Sequence, residues 1–216
     1  IPPMIREGRK VLRNLQRVAK LFVAKSVVAA FLILTVGLSS ESYPFLPRHL
    51  TLASAITIGI PAFFLALAPS TGPWRPTRFL RELARFAIPA GTAIGLGVVA
   101  SFLFSINLLG MGDVRARTVA TTVLVAMGLY LIVVLESSSV VRSYTVGALC
   151  LGLFALYVTV LSLPSWRGFF EVAAPDVGVI MCSLGGTLLA AGGLALTDER
   201  FLPAWPRGRT PAEPPG

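Results

Sequence analysis

Acidic residues are scarce in this sequence, and none falls in the middle of an apolar run. Of 216 residues only 13% are charged, with 10 Asp and Glu against 19 Lys and Arg. One histidine and two cysteines complete the short supply of other metal-ligating side chains. His49 has no second His or Cys with which to build a zinc-type set. Standing beside Arg48 at the mouth of an apolar span, it is expected to be solvated or to face headgroups. Cys150 and Cys182 lie inside apolar runs without CxxC spacing, so they read as small buried residues and not as a disulfide framework or metal site. A Gly-rich phosphate loop, a Walker-type lysine and a catalytic carboxylate pair are all missing. Ser137-Ser138-Ser139 has no histidine within the membrane to activate it. The chain by itself is therefore not expected to be an enzyme.

Apolar residues are what the sequence has in abundance. They make up 55% of the chain, and the mean hydropathy is +0.78, far beyond a soluble domain. A membrane span needs ~20 mostly apolar residues. Six runs meet that length: 18–38, 50–68, 87–109, 117–135, 144–163 and 177–196. Pro44 and Pro47, then Pro69, Gly72, Pro73 and Pro76, then Gly110 and Gly112 punctuate the first three connections. The fold class expected is all-α, a polytopic six-helix membrane bundle in the lipid bilayer with a cytoplasmic N-terminal stalk. The net charge of +9 does not signal nucleic acid, because the basic residues cluster in short segments beside apolar spans, where they set topology and meet headgroups.

Fourteen of the 19 Lys and Arg fall on one side of this six-span arrangement: Arg6 to Lys20, Arg75 to Arg85, Arg142, and Arg200 to Arg209. Arg48, Arg115, Arg117 and Arg167 fall on the other. The positive-inside rule then places both termini in the cytoplasm. Residues 1–20 form the stalk, and the helical pattern of residues 5–24 puts Ile5, Val11, Leu12, Leu15, Val18, Ala19 and Phe22 on one stripe. The same pattern would suit an amphipathic helix lying on the membrane. A second basic amphipathic stretch, 75–86, suits interfacial packing or docking of a cytoplasmic partner. The proline-rich tail, 197–216, is expected to be disordered and cytoplasmic. A basic segment without an initiator methionine precedes the first span, which suggests a fragment or processed product. The apolar run is too long for a cleaved signal peptide, and Leu38-Ser39-Ser40 lacks a small-x-small cleavage pattern.

The most informative stretch is Ser54-Ala55-Ile56-Thr57-Ile58-Gly59-Ile60-Pro61-Ala62, which sets a glycine and a proline inside the second span. A broken helix in hydrocarbon is tolerated only where protein or a polar cavity satisfies its freed backbone groups, and such breaks often surround a transported ion. A plain proline kink is the alternative reading. Lys25 lies seven residues into the first span, where a lysine costs ~2.5–3.5 kcal/mol at a helix centre. Its stem either snorkels to the headgroups or turns the ammonium inward as a built-in cation. Ser26 and Thr57 are hydroxyl candidates for a hard cation, although hydroxyls in membrane helices also bond their own backbone. Gly91-x-x-x-Gly95 and Gly186-x-x-x-Ala190 are close-packing signals.

In this order, Glu7-Gly8-Arg9, Asn14, a stalk, an apolar span and Gly59-Ile60-Pro61-Ala62 resemble the C-terminal membrane region of a P-type cation-transporting ATPase. The runs Tyr43–Leu52 and Pro61–Leu67 are similar to a bacterial calcium/metal-cation branch of that family. The resemblance implies that the six spans are helices five to ten of a ten-helix pump in the cell membrane. Calcium and sodium pumps usually carry N-x-x-T-D-G-x-P in helix six; here Ser54 replaces the Asn and Ile58 the Asp, while Thr57, Gly59 and Pro61 are kept. In helix five the ligand positions fall on Lys25, Ser26 and Ala29, and Lys25 matches a lysine of the proton/potassium branch. Fewer cations, or a different one, follow from that loss of carboxylates. The resemblance implies a pathway built from Ser26, Ser54, Thr57 and carbonyls near Ile56, Ile58 and Gly59, with Pro61 keeping the helix open and Lys25 tuning charge. ATP and Mg, with the phosphorylation, nucleotide and actuator domains, belong to an N-terminal half absent from this sequence. The competing readings are a six-span secondary transporter or permease subunit and a non-transporting membrane scaffold. No second G-x-P break marks an inverted repeat, which disfavours the permease.

Overall fold

Helix α1 runs unbroken from Pro2 to Val36, with both prolines in the first turn, where a missing N–H costs nothing. The computed structural model describes residues 2–38, 42–67, 79–136, 140–197 and 201. Arg75 and Arg78 of the basic stretch, the serine run 137–139 and nearly all of the tail 197–216 lie outside the described residues. The elements that follow α1 are α2 (Pro47–Ser54), a π turn (Ala55–Gly59), α3 (Ile60–Leu67), α4 (Phe79–Leu103), a second π turn (Phe104–Leu108), α5 (Asp113–Glu136), α6 (Val140–Ser162), α7 (Pro164–Phe170) and α8 (Val177–Thr197). No strand occurs among the described residues, and the protein is an all-α polytopic membrane protein.

Among the described residues five helices are long and apolar enough to cross a membrane: the Val18–Val36 part of α1, α4 with its π turn, α5, the Tyr144–Ser162 part of α6, and α8. The expected second span, 50–68, is not one such helix. It is a composite of α2, the first π turn and α3, whose pieces have 8, 5 and 8 residues. The short helix α7 was not foreseen. Pro164 at its first position and Leu163 in extended conformation start it, and exposed Trp166 and Phe169 suit the membrane–water boundary, where aromatic side chains collect. After the second π turn, Gly110 takes φ +60°, a left-handed conformation that glycine adopts without a Cβ penalty.

Helix α4 is the hub of the bundle, packed on α1, α5 and α8. Its glycines set the distances. A Cβ on Gly91 would come 2.5 Å from Val27 Cβ and 2.8 Å from the Ala24 carbonyl oxygen. One on Gly97 would meet Ala190 Cβ at 2.6 Å and the Gly186 oxygen at 2.8 Å. The two small-residue motifs therefore serve two contacts, α4 on α1 and α4 on α8, by letting backbones approach. Helix α5 is the most enclosed, and Tyr157 of α6, fully buried, shares a 2.9 Å hydrogen bond with Thr122 of α5. Both cysteines are free, Cys150 buried and Cys182 partly so. Phe201, past the end of α8, is buried against Phe86 of α4, and its carbonyl accepts the Tyr130 hydroxyl. Ile33, Leu34, Leu151, Leu188 and Leu196 are exposed, a cost in water but the favoured contact in lipid.

This packing predicts unequal tolerance among the glycines. Gly91→Leu should lower stability by about 1–3 kcal/mol through overpacking. Gly192→Leu, where a Cβ meets nothing within 4 Å, should stay near the parent. Unfolding in bicelles measures both, and equal losses would refute the close α1–α4 approach.

Candidate functional site

Proline at position 61 dictates the geometry of the interrupted helix. In an α-helix its amide would serve the Thr57 carbonyl, and it has none to give. The chain responds by widening to a π turn, a form frequent at functional sites, in which the Ile60 amide donates to the Ala55 carbonyl. The Ile56 carbonyl thereby loses its donor either way: Ile60 is engaged by Ala55, and the next amide would be that of Pro61. Thr57 O depends on Ala62 alone. Ile56, Thr57, Ile58 and Pro61 are buried while Gly59 is exposed, so the break turns most of its residues into protein.

Lys25 reaches this break from α1. It lies seven residues past Val18, where the apolar part of α1 begins, or ~10 Å along the axis at ~1.5 Å per residue. Its ammonium donates to Ser54 Oγ, and Ser54 Oγ donates to the Leu50 carbonyl. Thr57 Oγ1 donates to the Ala53 carbonyl at 2.7 Å. A cavity of about 40 Å³ lies among Ala24, Lys25, Ser54, Thr57, Ile58 and Gly128, room for one water or one bare cation. On its other side Lys25, Ser54, Thr51, Ile58 and Gly59 line an open groove of about 520 Å³. Helix α5 closes the cavity at Gly128, where a Cβ would sit 2.6 Å from Thr57 Cγ2.

Of the residues singled out from sequence, Lys25, Ser54, Thr57, Ile58 and Gly59 come together around these two spaces. Ile56 and Pro61 support the break from the protein side. Ser26 is placed apart: it is exposed, donates to the Phe22 carbonyl at 3.1 Å and lines neither space. The polar lining is hydroxyl and ammonium, with no carboxylate in it. Among the described residues no three His, Cys, Asp or Glu side chains gather. Three ion pairs sit at the end of the bundle away from the start of α1: Glu171 with Arg48 at 3.1 Å, Asp176 with Arg115 at 3.3 Å and Asp113 with Arg117 at 3.4 Å. Glu136 is buried at the other end of α5. A divalent cation takes six to eight oxygens, carboxylates among them, so this cavity supplies only part of a coordination shell.

The environment of His49 differs from the solvated or headgroup-facing one expected. The ring is 0% exposed. Its Nδ1 accepts the Leu46 amide at 3.2 Å, and Nε2 lies 3.3 Å from the Glu171 carbonyl oxygen. The available signal was positional. Pro47 at the first helical position puts residue 49 third, where a side chain reaches back to the N-cap amide as in half of a capping box.

An all-α membrane bundle with a helix broken beside a small, mostly apolar cavity defines the class: a polytopic membrane protein. Relatives narrow it. The calcium-transporting ATPase CtpE of Mycolicibacterium smegmatis is 30% identical over 99% of this chain and 27% of its own length. The protein of that name in Mycobacterium tuberculosis is 31% identical over 88% of the chain and 25% of its own length. A calcium-transporting ATPase of Bacillus subtilis is 25% identical over 90% of the chain and 24% of its own length. No family model matches the sequence, and no solved structure matches significantly. The chain is a homologue of calcium-transporting ATPases and has the character of a P-type ATPase membrane region. It spans about a quarter of the length of the relatives it matches.

The Lys25–Ser54 contact is open to a double-mutant cycle. Lys25→Met and Ser54→Ala should couple by about 1 kcal/mol, a charged hydrogen bond discounted for partial exposure. The cycle is read from unfolding in bicelles, and single effects that simply add would show that the ammonium snorkels away from the break.

Proposed function

We propose that this chain forms part of the cation pathway of a P-type ATPase, with calcium the first candidate cargo and another metal cation the second. The observation that carries the reading is the Pro61 break. It widens the helix at Ala55–Gly59, next to a cavity of about 40 Å³ lined in part by the Ser54 and Thr57 hydroxyls, in a chain homologous to proteins named calcium-transporting ATPases. Breaks of this kind put unwound carbonyls around a coupling ion. In this reading the carboxylates missing from the cavity come from the rest of the pump, which also holds the phosphorylation, nucleotide and actuator domains and binds ATP and Mg. The chain alone does not hydrolyse ATP.

Lys25 acts in this reading as a fixed positive charge. At 4 Å two unit charges repel by ~4 kcal/mol at an effective dielectric of ~20, so an ammonium on Ser54 displaces a second cation from that side and lowers the number carried. Helix α1 continues without a break from its basic to its apolar part, which supports a stalk that transmits motion from the motor domains. Lys and Arg asymmetry supports cytoplasmic termini in the cell membrane.

Pro61→Ala in the reconstituted pump is the test. The new amide can close onto Ile56 or Thr57, so calcium uptake should fall about tenfold or more, equivalent to ~1.4 kcal/mol of barrier, while the protein still folds. Undiminished uptake of every cation tried would mean that the break is a packing kink and would sink this reading.

A further inference from the structure

The second polar feature lies at the opposite end of the interrupted helix from Pro61. His49 occupies the first turn of α2, before the 50–68 span, with both ring nitrogens committed. Nδ1 accepts from the Leu46 amide at 3.2 Å, so it carries no proton. Nε2 faces the Glu171 carbonyl at 3.3 Å, and since a carbonyl cannot donate, Nε2 must. Only the neutral Nε2–H tautomer satisfies both partners.

Glu171 is built into the same contact. It ends α7 in the left-handed region at φ 53°, an uncommon conformation for a residue with a Cβ. That conformation presents its carbonyl to His49 while its carboxylate pairs with Arg48 at 3.1 Å. Arg48 also donates to the Phe169 carbonyl at 3.0 Å. The start of α2 is thus fastened to the end of α7 through adjacent side chains. Helix α2 then runs directly into the π turn, so whatever holds residues 46–49 holds the outer end of the break.

A proton arriving at Nδ1 would set two donors, Nδ1–H and Leu46 N–H, against each other. The helix would lose its cap, and a cation would stand in a fully buried position. The charged groups around it oppose that cation. Arg48 lies beside it on α2, and Arg117 faces it from α5 with Asp113 already paired to it at 3.4 Å. The Glu171 carboxylate is engaged by Arg48. We propose that His49 is a proton-operated latch on the outer end of the interrupted helix, closed while the imidazole is neutral and released when Nδ1 is protonated. Burial holds the imidazole below its ordinary value of 6.5; the Glu171 and Phe170 carbonyls work the other way, and Arg117 and Arg48 add to the lowering. The sign follows from linkage. A depressed folded-state value means that the latch's contribution to stability is complete above about 6.5 and is lost as the pH falls through the folded-state value.

His49 is the single histidine of the chain, so isotope labelling of histidine reports on it alone. The chain, reconstituted in lipid nanodiscs, is titrated from about pH 8 to about pH 5, the range in which histidine changes charge. Ring-nitrogen shifts are followed by NMR, and hydrogen exchange of the segment around residues 46–50 is followed after correction for intrinsic rates. The expected result is a neutral Nε2–H ring at pH 7 that titrates below 6.5, with local exchange rising about tenfold or more in step with protonation. His49→Gln should show the faster exchange at every pH and no step, whereas Glu171→Gln keeps the carbonyl and should keep the step. A ring that is Nδ1–H or cationic at pH 7, or protonation that leaves exchange unchanged, would overturn the proposal. The wild-type titration decides even where His49→Gln does not fold. These readouts are ionisation and local opening, so they succeed or fail independently of the transport reading.

Discussion

Hydrocarbon offers a backbone carbonyl no partner, and that constraint organises this protein around Pro61. An uninterrupted helix satisfies its own groups and can face lipid on any side. Once Pro61 removes an amide, the Ile56 carbonyl must be covered by protein or water. The structure meets that demand with the faces of α1 and α5. Ile56, Thr57 and Ile58 are buried, and Gly128 of α5 lies close enough to Thr57 that a methyl group between them would collide. The hub role of α4 follows from the same demand. The glycine contacts that draw α1 and α8 onto α4 bring α1 near enough for Lys25 to reach Ser54.

The electrostatics of the break are lopsided. Its polar lining contains hydroxyls and one ammonium, and Glu171, Asp176 and Asp113 lie at the bundle's far end, each paired with an arginine. Lys25 is held at this depth with the Ser54 hydroxyl as its hydrogen-bond acceptor. The same arrangement suits a bare divalent cation poorly. In the proposed reading, oxygen ligands of high negative charge come from the rest of the pump wherever such an ion is bound. That conclusion accords with a chain that covers about a quarter of its relatives' length.

The all-α membrane class was legible in the sequence because length and hydropathy signal it, and the break was legible because Gly59 and Pro61 cannot be absorbed silently into a helix. The rotational phase of α1 was not. Lys25 and Ser26 are adjacent and so point about 100° apart on a helix, which allows only one of them to face the break. The membrane part of α1 is apolar nearly all round, so no polar stripe says which. The fate of His49 was invisible for another reason. Its burial depends on Glu171, 122 positions away, and local pattern carries no information about what folds over a residue. The π turn lay between these cases: the proline announced a defect, but its resolution by widening instead of kinking depended on the packing of α5 against Thr57.

The two ends of the interrupted helix are held by different physics. On the α2 side the fastening is directional, through a histidine of one tautomer, an ion pair and two carbonyls. On the α3 side Ile60 and Pro61 continue into Phe63 and Phe64, both exposed, which present apolar surface. Between them the π turn is the one stretch where amides and carbonyls are mismatched in number, so it can change register without first breaking a full set of helical hydrogen bonds. A displacement of this helix would therefore be taken up at residues 55–61 while α2 stays fixed. Thr57, packed against Gly128, would have to move along α5 because it cannot move into it. The cavity beside Lys25 changes shape with that sliding, which couples the position of one helix to the space available for one ion or water.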